Sequence, residues 1–180
     1  MDIEFTIYGE PMGKQRPKVS VRNGYPHAYT PKETILYENK VAFAYKEVAK
    51  DFIFDRNDLL SVSIDAYFPL NKGDYGKKGL NKSGRYKLDQ IYAPTHKDID
   101  NICKAILDGL NGVAWLDDKQ VCMLLGIKRW AQDNPRVEVR IGKLRNLTND
   151  KWYLHSSTNV DIKVTQTFYD ILFINWFDCW

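Results

Sequence analysis

The chain has 180 residues, 44% of them hydrophobic and 27% charged, with a formal net charge of +3; this balance suits one folded domain with a sizeable core, excludes a disordered chain, and by itself argues for no polyanionic partner. Three widely spaced cysteines, Cys103, Cys122 and Cys179, form no CxxC pair, which argues against a disulfide framework or a zinc site. The opening MDIEFTIYGE lacks the blocks of a signal peptide and no apolar run is long enough to span a bilayer, so an intracellular protein is expected.

In chain order, Ile3, Phe5 and Ile7 alternate with Glu4 and Thr6, the period of a strand with one buried face. Pro11, Gly13 and Pro17 then enforce a loop that carries Lys14, Arg16 and Lys18, and Asn23-Gly24 marks a hairpin over Val19 to Thr30 that adds Arg22, His27 and Tyr29. Thr30-Pro31-Lys32-Glu33 predicts a helix start with threonine as cap and glutamate closing a capping box. Tyr37, Val41, Ala44, Tyr45, Val48 and Phe52 follow at helical spacing, an apolar side that must lie on a sheet. Val62, Ile64, Ala66 and Phe68 alternate with polar residues in a second strand.

Between Leu70 and Pro94, Lys72, Lys77, Lys78, Lys82, Arg85 and Lys87 are set against Asp74 among glycines and a serine. The segment reads either as an exposed linker or as a flexible basic arm that orders on phosphates, with Tyr75 and Tyr86 available to stack on unpaired bases. Past residue 120, a run from Gln120 to Trp130, a turn at Gln132-Asp133-Asn134-Pro135, and the alternation of Val137, Val139 and Ile141 predict an antiparallel hairpin. The readable domain ends at 142; residues 143–180, which finish FYDILFINWFDCW, form a C-terminal extension of unknown role, whether extra strand, dimer contact or dispensable tail. The whole predicts an α+β domain, a two-layer sandwich in which two main helices pack mostly on one face of a mixed sheet.

Chemistry concentrates in HKDIDNICKAILDGLNGVAWLDDKQ, residues 96–120. Ile102, Ala105, Ile106 and Leu110 recur on one helical face, and Asn111-Gly112 stops the helix. Singly, Asp98 and Asp100 are ordinary residues for a helix start, Asp117-Asp118 an ordinary turn, and Lys104 an ordinary partner for Asp100 or Asp108 four residues away. Jointly, Asp98, Asp100 and Asp118 suit a hard divalent cation, Mg²⁺ with Mn²⁺ as the alternative, because oxygen-only ligands disfavour zinc. Such a site serves phosphodiester hydrolysis, with Lys104 stabilising developing charge and Asp108 positioning Lys104, while Asp117 supports the turn. No HExxH pair, Gly-x-Ser-x-Gly elbow, P-loop or GxGxxG fingerprint competes.

Asp98-Ile-Asp100-Asn101-x-x-Lys104, Asp108 on the same helix, and Trp115-Leu-Asp117-Asp118-x-Gln120-Val121 resemble the RusA family of Holliday junction resolvases, as do Gly9-x-Pro11, Lys14-x-Arg16-Pro17 and Ala28-Tyr29-Thr30-Pro31. The resemblance covers roughly residues 1–142. It implies a RusA-like fold and a crossover junction endodeoxyribonuclease of DNA recombination and repair, commonly phage- or prophage-encoded and cytoplasmic in a bacterial cell or infected host. It further implies that Asp98, Asp100 and Asp118 bind Mg²⁺, that Lys104 is the essential basic residue, that Asn101 belongs to the motif, and that a homodimer makes paired symmetric nicks in a four-way junction. The DNA-facing set expected is Lys14, Arg16, Lys18, Arg22, Lys77, Lys78, Lys82 and Arg85. A nuclease for flaps or forks and a non-catalytic junction-binding protein are the alternatives.

Overall fold

The computed structural model describes residues 2–22, 24–95 and 97–144. Their elements are β1 (Asp2–Tyr8), β2 (Lys18–Arg22), β3 (Tyr25–Tyr29), α1 (Lys32–Ala49), β4 (Leu60–Phe68), β5 (Tyr75–Gly76), β6 (Gly79–Leu80), α2 (Lys82–Leu88), α3 (Ile99–Leu110), β7 (Val121–Trp130) and β8 (Arg136–Lys143). The main sheet runs β1-β8-β4-β7, antiparallel except for the parallel pair β4 and β7. This is the mixed sheet and α+β class that the sequence predicts.

Period-two patterning builds the inner face of the sheet. Ile3, Phe5 and Ile7 of β1, Leu60, Val62, Ile64, Ala66 and Phe68 of β4, and Val137, Val139 and Ile141 of β8 all point into one core. Tyr37, Val41 and Tyr45 of α1 and Ile102, Ala105, Ile106 and Leu110 of α3 close that core from above. Full burial of such a side chain stabilises by about 1.5–3 kcal/mol, so the α3 stripe anchors its helix firmly. The opposite sheet face is polar, crossed by the ion pairs Arg140–Glu4 (2.6 Å), Arg129–Asp65 (2.5 Å) and Arg136–Glu138 (2.7 Å).

Three local expectations are corrected. Strands β7 and β8 do not pair as a hairpin; they flank β4 on opposite sides. The reason is that β7 returns parallel to β4 after the α3 crossover, while β8 slots antiparallel between β1 and β4. Helix α1 starts at Lys32 with Pro31, not Thr30, as its cap residue; a proline side chain has no acceptor to offer, so no side-chain cap bond forms, and Glu33 accepts from Gln15 Nε2 at 2.8 Å.

The third correction concerns the basic stretch after β4, which folds into a 3-10 turn, the short pair β5–β6 and helix α2 where an irregular arm was expected. Asp74 is buried and accepts from Asn71 N (2.8 Å), Ser83 Oγ (2.9 Å) and Lys87 Nζ (2.8 Å). Gly84 lets α2 close on it, since a Cβ there would lie 2.5 Å from the Asp74 carbonyl oxygen. Lys87 also sits 5.0 Å from the centre of the Trp130 ring, tying α2 to the end of β7. The hairpin β2–β3 forms as expected, pairing Lys18 with Tyr29 and Ser20 with His27. The predicted extension at 143–180 lies outside the described residues, apart from the end of β8 at Lys143 and the residue after it.

Candidate active site along helix α3

Helix α3 is two-sided. Its buried stripe faces the core, and its outward stripe carries Asp100, Lys104 and Asp108 at four-residue intervals. Lys104 leans towards the later of its two acidic neighbours, with Nζ 3.0 Å from Asp108 Oδ1, and also reaches Asp118 Oδ2 at 3.4 Å. No hydrogen bond or ion pair engages the Asp100 carboxylate among the described residues. Asp98 is the cap residue of α3 yet makes no side-chain cap bond; among the described residues its Oδ2 accepts only from Asn101 Nδ2, at 3.3 Å.

The start of α3 is held in part by Lys128 and Lys97, which the sequence pattern does not single out. Lys128, on β7, donates to the carbonyls of Thr95 (3.0 Å) and Lys97 (2.9 Å), fixing the chain just before Asp98. Lys97 in turn donates to Pro11 O (2.7 Å) and pairs with Glu10 (2.8 Å). Gly13 packs on Asn101, where a Cβ would stand 3.2 Å from the Asn101 Cβ, and Lys14 N donates to Asn101 O at 2.9 Å.

Asp118 opens a one-turn 3-10 helix, Asp118–Gln120, just before β7. Asp117 caps that turn by accepting from Lys119 N (3.1 Å) and pairs with Lys119 Nζ (2.9 Å), which lowers its pKa. Gln120 is buried beneath the turn, accepting from Leu116 N (3.1 Å) and donating to Asp55 O (2.6 Å). Gly112, at φ 73°, takes the left-handed backbone that the turn out of α3 requires. These bonds set the direction from which Asp118 meets Lys104.

Electrostatically the site is an alternating chain. Lys14 forms ion pairs with Glu38 (3.2 Å) and Asp108, and Asp108 shares itself between Lys14 and Lys104. Burial raises the Asp108 pKa, but the two ammonium groups outweigh it and hold the carboxyl below its usual range. The Asp108 bond raises the Lys104 pKa against the smaller effect of burial. The outer pair Lys104–Asp118 is exposed on both sides, 53% and 41%, and such pairs contribute only about 0–1 kcal/mol. It can therefore be exchanged for a ligand at little cost.

The expected ligand set is not gathered around one point: among the described residues no group of three His, Cys, Asp or Glu side chains is placed to hold a metal ion. What the fold assembles is a row, with Asp98 and Asp100 at the start of α3, Lys104 one turn on, and Asp118 beside Lys104. The donor set itself fits a hard divalent cation, being all oxygen, and two of its members have almost no protein partner among the described residues. Of the other expected DNA-facing residues, Arg16, Lys18, Lys77, Lys78, Lys82 and Arg85 are exposed, whereas Lys14 turns inward to its carboxylates. No described helix is long and apolar enough to cross a membrane.

Residues 8–142 match the family described as Endodeoxyribonuclease RusA. The chain is also 31% identical over 139 residues to the uncharacterized protein YqaN of Bacillus subtilis (strain 168), covering 77% of this chain and 94% of that protein.

Proposed function

The chain belongs to the RusA family of endodeoxyribonucleases, and from that premise we propose that it resolves four-way DNA junctions by paired symmetric nicks in a Mg²⁺-dependent reaction serving recombination and repair. The observation that carries the reading is the exposed row on α3, in which Lys104 stands between two carboxylates while Asp98 and Asp100 keep their oxygens for a ligand. Asp98, Asp100 and Asp118 would hold the cation, which when bound polarises a phosphoryl oxygen and lowers the pKa of its water. Lys104, an ammonium at neutral pH whose pKa its two acidic partners raise further, would direct that charge to the non-bridging oxygens as charge develops there. Asp118 is released from Lys104 as that ammonium turns to phosphate.

Substrate binding would fall to cations outside this row. Lys77, Lys78, Lys82 and Arg85 are exposed on the Asp74-centred segment. Arg16, Lys18 and Arg22 belong to the loop and ribbon after β1, and a two-stranded ribbon fits a major groove. Residues 1–142 would be the endonuclease domain, working in the bacterial or phage-infected cytoplasm as a two-fold homodimer so that two sites nick symmetry-related strands.

A synthetic four-way junction incubated with the purified protein tests this. Symmetric nicks that require Mg²⁺, and an Asp100→Asn variant that binds the junction normally but cuts at least about 100-fold slower, are expected. An Asp100→Asn variant that cuts at the parent rate removes the metal assignment. Preference for flaps or forks in a substrate panel would change the substrate, and failure to cut any branched DNA would leave a junction-binding protein.

A further inference from the structure

We infer that Lys14 is a positioning residue for cleavage: by occupying one oxygen of Asp108 it keeps Lys104 shared between Asp108 and Asp118 instead of drawn wholly into Asp108. This rests on the nuclease reading above. It differs from what a cation in a proline-bounded basic loop suggests, which is a phosphate contact.

Five charged groups alternate in sign along the chain Glu38, Lys14, Asp108, Lys104, Asp118. The two Asp108 oxygens are divided, Oδ2 to Lys14 and Oδ1 to Lys104. Exposure rises outward: the side chains of Glu38, Lys14 and Asp108 are 22%, 30% and 18% exposed, those of Lys104 and Asp118 53% and 41%. The inner three groups are thus the more covered part, and the outer two, facing solvent, the part that a ligand can reach. Without Lys14, Asp108 presents both oxygens to Lys104 in a half-buried setting, and the ammonium retreats from Asp118 and from the place a phosphate must occupy.

The loop is built to make this contact. Lys14 N donates to Asn101 O, and Gly13 permits that approach by leaving no Cβ against Asn101. On the other side, Gly109 lets α1 cross α3 so closely that a Cβ would lie 2.8 Å from Glu38 O, which brings the Glu38 carboxylate to Lys14. Burial lowers the Lys14 pKa, but the bonds to Asp108 and Glu38 raise it further, so the group is a permanent cation in this position.

The test compares Lys14→Met, Lys14→Arg, Asp108→Asn and the Lys14→Met/Asp108→Asn double variant on the junction that the parent cuts. Single-turnover rates are measured at saturating DNA, and affinity and its salt dependence are measured without divalent metal. Lys14→Met is expected to cut on the order of 10- to 100-fold slower, the scale of an ångström-sized misplacement, with affinity and salt slope unchanged. Lys14→Arg restores much of the rate, and the double variant is no slower than the worse single variant. Glu38→Gln, which loosens Lys14 without touching the loop, slows cutting by a smaller factor. If Lys14→Met instead weakens binding, flattens the salt slope and cuts at the parent rate once saturated, Lys14 is a phosphate contact and the inference fails alone. If the effects of Lys14→Met and Asp108→Asn multiply, the two do not act through each other and the inference also fails. A parent that cuts no branched DNA overturns the nuclease reading and this inference together.

Discussion

Gly109→Ala separates two physical arguments that predict opposite signs. Glycine inside a helix costs about 1 kcal/mol relative to alanine, so propensity alone makes the variant more stable by that amount. At this crossing, however, a Cβ would sit 2.8 Å from Glu38 O and 2.9 Å from the Val41 Cβ, against ordinary separations of roughly 3.5–4.0 Å. One of these neighbours is backbone and the other is attached directly to it, so α1 itself must retreat. Overpacking of that kind costs about 1–3 kcal/mol, leaving a net loss of roughly 1 kcal/mol after the propensity gain, or about a fivefold rise in the unfolding constant. Urea unfolding followed by circular dichroism should show a lower midpoint with an unchanged m-value. Because Glu38 moves with α1, cleavage at saturating DNA should also slow. A midpoint above that of the parent would show that the crossing has slack and would refute the packing argument.

The ordered basic segment yields an acid-dependent prediction. The Lys87 bond comes first among the causes that lower the Asp74 pKa, so the stabilisation it brings is present above the usual carboxylate range and is lost as pH falls through the depressed folded value. Hydrogen exchange of residues 75–88, corrected for intrinsic rates, should therefore loosen below about pH 4 in the parent. Asp74→Asn should already be loose at neutral pH and lack that step; a step that survives the substitution rules Asp74 out as its origin. Replacing Lys77, Lys78, Lys82 and Arg85 by glutamine should weaken junction binding and reduce the salt slope by ~0.9 for each cation that touches phosphate. An unaltered slope would remove the segment from the interface.

Legibility in the sequence follows the range of the interaction that decides each feature. Strands β1, β4 and β8 and the buried stripe of α3 can be read because alternation and helical spacing are local consequences of one buried face. The pairing of β7 cannot, since a parallel partner is chosen by a crossover and not by the adjacent turn. Order in residues 71–88 is hidden because it depends on one acid reaching Ser83 and Lys87, and a composition rich in lysine and glycine resembles a solvated arm. The capping box expected at Thr30 to Glu33 does not form: the helix begins one residue later, and Glu33 meets Gln15, which lies outside the local window.

The same distinction runs through the site. Asp98, Asp100, Lys104, Asp108 and Asp118 stand out because carboxylates at a helix start and helical spacing of charge are local signals. Their supports are long-range: Lys128 reaches from β7 to the carbonyls before Asp98, Gln120 ties the Asp118 turn to the loop after α1, and Glu38 meets Lys14 across a helix crossing. Each of these supports is a partly or fully buried polar group whose burial is favourable only with its partner in place. Removing one therefore alters the direction of an exposed charge several ångströms away more than it alters the charge itself. On the inference drawn above, Lys14, a loop cation by sequence, would act inside the protein as the counterweight that keeps Lys104 shared between Asp108 and Asp118.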